Sequence, residues 1–175
     1  STNDTVYALA NGRAGVSAVS PADLALLGAS LEDVLGRLAY MLVQDGEGSS
    51  KVAHIAVKGA ASDADAEQVA RTVGHSPLVK TALYGRDPNW GRIVMAIGRS
   101  GVKLTPENVR VSLCGVELFR NGQPVDMDVD AVFAEPLKGR DVPITITLGD
   151  GPGSYTLLAS DLGREYVNCN ASYRS

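Results

Sequence analysis

Few residues in this chain are of a type and spacing that could do chemistry. Glu47 lies in the segment DGEGSSK, residues 45–51, with a glycine on either side. A carboxylate there can meet a cation or accept a hydrogen bond, and its glycine neighbours let a ligand come close to the backbone. On pattern alone such an acid is more often a solvated turn residue than a ligand contact. Ser1 has the form of an N-terminal nucleophile with its own amine as base, but it is also simply where the sequence starts. The two histidines, His54 and His75, lack the spaced partners of a metal site or a Ser–His–Asp triad, and His54 reads as structural. Cys114 and Cys169 lie far apart and without ligand spacing, so both read as free thiols. The run GDGPGS at 149–154 has the glycines of a phosphate loop but neither its lysine nor its following helix, and it reads as a hairpin turn. The tail, with Asn168, Asn170 and Tyr173, fits two readings: a frayed end, or a segment held in a polar site.

These residues must be placed by the elements around them. The most informative stretch is 76–98, where two apolar helical patterns flank a tight polar turn. Leu78, Val79, Ala82 and Leu83 mark the first helix, and Gly85 stands where a left-handed closing residue is expected. Asp87 is expected to cap the second helix and Pro88 to begin it, with Trp90, Ile93, Val94 and Ile97 on one face. This corner reads as packed and structural rather than catalytic. Upstream, Ser20 and Pro21 start a short helix. Ser30 with Asp33 starts a longer one, whose Leu31, Val34, Leu35, Leu38, Met41 and Leu42 predict a buried stripe. Residues 51–58 alternate as a strand, and 62–72 form a helix capped by serine with acids in its first turn. Beyond 98 the pattern turns to short strands around Cys114–Gly115 and Asn121–Gly122, with a short helix over 127–136. A hairpin follows, pairing Val142, Ile144, Ile146 and Leu148 with 155–158. The fold class is α+β, helices followed by an antiparallel sheet.

Composition sets the outer bounds. The 175 residues are 45% hydrophobic, enough for one domain or two small lobes with a sizeable core. The net charge of −4 is scattered and no basic run is present, which argues against nucleic acid as a partner. Apolar runs are too short for a membrane span, and no signal-peptide pattern is present, so the default location is cytoplasmic. No metal or cofactor is expected.

SPLVKTALYGRDPNWGR, together with STNDTV, DGEGSSK and YVNCNASYRS, resembles the β-chain of the bifunctional glutamate N-acetyltransferase (ornithine acetyltransferase) family, end to end. The resemblance implies a precursor that cuts itself into an α-chain and a β-chain. The β-chain's N-terminal threonine takes the acetyl group of N-acetylornithine and hands it to glutamate. In the family, STNDT lies downstream of that threonine and the oxyanion-hole residues belong to the α-chain. No catalytic residue is therefore assigned here, and Thr2 and Thr5 are not substitutes. What the resemblance carries over is substrate contact, through Glu47, Asn170 and Ser175. It also implies an α/β hetero-oligomer, a core lobe at 1–58, and a lobe at 59–175 whose tail returns to the active site. Acetyl-CoA as a further donor stays open. So do two alternatives: a non-catalytic assembly lobe, and a fragment of a related self-processing aminopeptidase or amidase.

Overall fold

Capping chemistry decides where the helices of this computed structural model begin; residues 5–172 are described. Before α1 (Pro21–Gln44), Ser20 Oγ accepts from Asp23 N at 3.1 Å, and the Asp23 carboxylate accepts from Ser20 N at 3.2 Å and Ser20 Oγ at 2.7 Å. This reciprocal cap opens one continuous helix where the sequence suggests two. Ser30 does not cap; its hydroxyl donates to Leu26 O at 2.9 Å, the way a serine fits inside a helix. Nor is the expected stripe buried. No α1 residue is, and Leu42 is 58% exposed. Helical spacing reports an apolar face, not whether other residues cover it.

The chain divides into two compact units between Leu38 and Ala39. Position 58/59 lies within strand β1 (Val52–Ala60), in the second unit's sheet. The other strands are β2 (Arg110–Leu113), β3 (Val116–Arg120), β4 (Gln123–Pro124), β5 (Asp141–Thr147) and β6 (Gly153–Ser160). Their order is β4-β3-β2-β5-β1-β6. The class is α+β, and the sheet is mixed, since β1 runs parallel to β5 and the other neighbours are antiparallel. The β2–β3 and β3–β4 turns have positive φ at both central residues, 49° and 82° at Cys114–Gly115 and 52° and 72° at Asn121–Gly122. That geometry matches the right-handed twist of the strands.

The hairpin expected between β5 and β6 does not form, because β1 lies between them. The connecting loop passes around the end of β1, where Leu148 N donates to Lys58 O at 2.9 Å and Gly151 N to Gly59 O at 3.2 Å. Gly59, at φ +71°, lets the loop through; a Cβ there would sit 1.9 Å from Gly149 O. Alternation identifies each strand correctly but does not say which strand is its neighbour.

Helices α2 (Asp63–Gly74), α3 (Pro77–Tyr84) and α4 (Trp90–Gly98) follow β1. Buried Ala66, Val69, Ala70 and Val73 of α2 join the core with Ile55, Val57 and Ile144. Ser62 and Ser76 cap α2 and α3. At the corner two expectations shift by one or two residues. Gly85 is right-handed at φ −74°, and Arg86 takes the left-handed position at φ +56°. Asn89 rather than Asp87 caps α4, accepting from Arg92 N at 3.1 Å, while Asp87 accepts from the Asn89 amide at 2.9 Å and orients it. Arg92 Nη1 ties α4 to α3 through Leu78 O at 2.8 Å, and half-buried Trp90 stacks on Phe119 with ring centroids 5.6 Å apart. Helix α5 (Val129–Phe133) and a 3₁₀ turn (Pro136–Lys138) lead into β5.

On the more open sheet face, His54 Nε2 lies 2.7 Å from Asp141 Oδ1, and Tyr40 Oη donates to Asp141 Oδ2 at 3.2 Å. The His54 hydrogen bond is the largest influence holding Asp141 below the usual carboxylate range. The unfolded chain then protonates first. The pair's stabilisation is complete above the ordinary carboxylate value, about 3.9, and is lost as pH falls through the lower folded value. His54→Ala should accordingly flatten the fall in Tm between about pH 5 and about pH 2; an unchanged acid limb would show the pair to be inert. Trp90→Ala should cost about 3 kcal/mol, the low end for a large aromatic truncation because the ring is only half-buried. Urea titration checks this, and a parent-like midpoint would mean that the corner does not rest on the Trp90–Phe119 stack.

Candidate substrate-binding site

Gly48 explains how the acid loop is placed. Its φ is +67°, and a Cβ would come 2.3 Å from Tyr166 N and 2.5 Å from Glu165 C. Only glycine allows the loop backbone this close to the first turn of α6 (Arg164–Ala171). Gly163, just before the helix, does the same on the other side, since a Cβ there would lie 2.4 Å from Tyr84 Cε2. Helix α6 is thus seated between the Tyr84 ring and the 45–51 loop. The C-terminal region is a helix as far as Ala171, and Ser175 lies outside the described residues.

This seating brings Glu47 and Asn170 together across 123 positions of sequence. Asn170 Nδ2 donates to Glu47 Oε2 at 2.9 Å and to Tyr166 O at 2.9 Å. Both side chains are exposed, so the carboxylate keeps an oxygen available for a cation while the amide fixes its direction.

Beneath the pair lies a polar layer that sequence reasoning missed. Asp161, 4% exposed, accepts from Ser50 N at 2.9 Å and, through a very short contact, from Ser50 Oγ. Lys51 is equally buried, and its ammonium donates to the carbonyls of Leu137 at 2.8 Å, Lys138 at 3.1 Å and Gly139. Burial is the main cause pushing its pKa down, aided by Arg86 and opposed by Asp161. With three donors matched to three carbonyls, Lys51 is a structural anchor rather than a proton carrier. Lys80 of α3 differs. It is half-buried, and among the described residues its Nζ reaches Ser160 Oγ alone, at 3.4 Å. Burial lowers its pKa and Asp161 pulls the other way. No periodicity or motif singles out these residues, because each acts on backbone or side chains remote in sequence. Among the described residues, no group of three or more His, Cys, Asp or Glu side chains is placed to hold a metal, and no helix is long and apolar enough to cross a membrane.

The arrangement predicts that Gly48→Ala will unseat α6 without unfolding the sheet. Hydrogen exchange should accelerate over 165–171 and stay slow over β1. Parent-like protection of α6 would mean that the loop does not depend on the close approach at Gly48.

The ArgJ family's sequence profile matches residues 1–175. The chain is 67% identical over its whole length to the arginine biosynthesis bifunctional protein ArgJ of Nitratidesulfovibrio vulgaris, covering 44% of that protein. It is 42% identical to the protein of the same name in Chlorobium chlorochromatii, covering 41% of it. A crystal structure of the arginine biosynthesis bifunctional protein from Bacillus halodurans superposes with a TM-score of 0.92 at 35% identity, over 99% of this chain and 82% of that one. This chain thus spans less than half the length of the curated relatives it matches, and it belongs to the ArgJ family.

Proposed function

We propose that the complete protein transfers an acetyl group from N-acetylornithine to glutamate through an acetyl-threonine, and that this chain supplies the amino-acid side of the site. The observation that carries the proposal is the 2.9 Å contact between Glu47 and Asn170, formed where the glycine loop meets α6. Glu47 is the counter-charge for a substrate ammonium. Asn170, with Ser175, bonds carboxylate or amide groups. The threonine, the general base and the oxyanion donors are expected from the remainder of the protein. In the first half-reaction the threonine Oγ attacks the acetamide carbonyl, the C–N bond breaks, and the ornithine amine leaves with a proton. In the second, the glutamate amine attacks the acetyl ester, and the threonine oxygen leaves and recovers a proton from that amine. Donor and acceptor occupy the same site in turn, so one set of contacts serves both. Partnership with an α-chain fits the exposed apolar face of α1, which has the character of a surface meant to be covered.

Steady-state kinetics on Glu47→Gln, Asn170→Ala and a chain ending at Cys169, each in the complete α/β assembly, test the reading. Each substitution should lower kcat/KM for N-acetylornithine by roughly ten- to a hundredfold, as expected for one lost hydrogen bond to a charged group, and the shortened chain, which loses Asn170 and Ser175 together, by at least as much, all with melting close to the parent. Because Glu47 and Asn170 bond each other, the double variant should lose less than the product of the single losses. Unchanged kinetics would sink the assignment, and a collapsed melting point would make the role structural. Repeating the assay with acetyl-CoA decides whether a second donor is used.

A further inference from the structure

We propose that Lys80 binds a carboxylate of the amino-acid substrate, acting as the cationic counterpart of Glu47 in the same site; this rests on the acetyl-transfer reading above. The geometry argues from the surroundings of Lys80. Helix α3 is held against the segment that leads into α6 at two points, with Leu162 N donating to Lys80 O at 3.2 Å and Gly163 lying on the Tyr84 ring. Lys80 Nζ lies by Ser160 Oγ, and the Ser160 Cβ would be 3.9 Å from a Cβ at Gly46, the residue before Glu47. Ser160 is followed by Asp161, which accepts from Ser50 of the acid loop, and by the segment 162–163 that leads into α6, so Lys80 stands on the same scaffold that carries Glu47 and Asn170.

On that scaffold Lys80 is the under-satisfied member. An ammonium has three donors, and among the described residues one long hydrogen bond is its share. Among the described residues no carboxylate lies within 4.0 Å of it. Asp161 is near enough to favour its charge, but both Asp161 oxygens already accept from Ser50. Lys51 shows what a lysine in this layer looks like when its role is structural: fully enclosed, with three carbonyls. A half-buried cation with spare donors among the described residues, on the scaffold that also carries an exposed acid, suits a ligand carrying both charges. N-acetylornithine has one cation and one carboxylate, and glutamate shares the α-carboxylate.

The test compares N-acetylornithine with its carboxamide analogue on the complete α/β enzyme and its Lys80→Met and Lys80→Gln variants. The parent should prefer the carboxylate substrate by at least about tenfold in kcat/KM, as expected for a charge-assisted contact. Both variants should lose that preference, through a loss on N-acetylornithine and little change on the amide. The preference is a ratio measured on one enzyme sample, so a variant that folds less completely still reports it. A parent-like preference in the variants, or equal activity of the parent on both substrates, overturns the proposal. If the parent transfers no acetyl group between N-acetylornithine and glutamate, the acetyl-transfer reading falls first and this proposal with it. Transfer that persists with an unchanged preference removes Lys80 alone.

Discussion

The second unit depends on one buried charge. Lys51 stands between the acid loop and β1, and its ammonium closes on the carbonyls of Leu137, Lys138 and Gly139 just ahead of β5. A cation out of water is costly unless its donors are matched, so this contact forces the start of β1 and the approach to β5 into one place. The parallel pair begins there, at Val52 opposite Asp141. The same residue's carbonyl accepts from Asp161 N and Ser49 Oγ, which joins the end of β6 to the loop. One side chain and its own backbone thus gather three strand ends around the segment that bears Glu47.

From that fixed point, the site is assembled by what is missing. At Gly48 and Gly163 the absence of a side chain sets the spacing between layers, so loop, α6 and Tyr84 meet at backbone distance. Precision of this kind holds functional groups on rigid elements without a large core behind them. It also explains why two exposed residues, Glu47 and Asn170, keep a defined relation: each is carried on backbone that is itself wedged.

Much of the fold was legible because capping and alternation are local. The serine cap at Ser62, the apolar spacing of Leu78, Val79, Ala82 and Leu83, and the alternation of β1 gave their elements directly. The corner was read correctly in kind but not in detail, since Asp and Asn two residues apart compete for one cap and local geometry alone chooses Asn89. Neighbour relations were not legible. β5 and β6 each look like half of a hairpin, and only the loop's passage around Gly59 separates them. The α1 stripe predicted burial because a period carries no information on where its partner surface resides. In the site, Glu47 and Asn170 were named by family resemblance rather than by pattern, and Lys51, Lys80 and Asp161 carried no sequence signal at all.

The placement of β1 between β5 and β6 sets the order in which the molecule can be built. Its hydrogen-bonding partners lie about ninety to a hundred and ten residues further along the chain, so at roughly 5–20 residues per second the nascent strand waits about 5–20 s on the ribosome before both edges are covered. Helices α2, α3 and α4 are made in that interval and can shelter only its apolar face, through Ala66, Val69 and Val73. The most buried strand of the finished sheet is therefore the one exposed longest during synthesis, and the cell's handling of this chain turns on protecting VAHIAVKGA until its neighbours emerge.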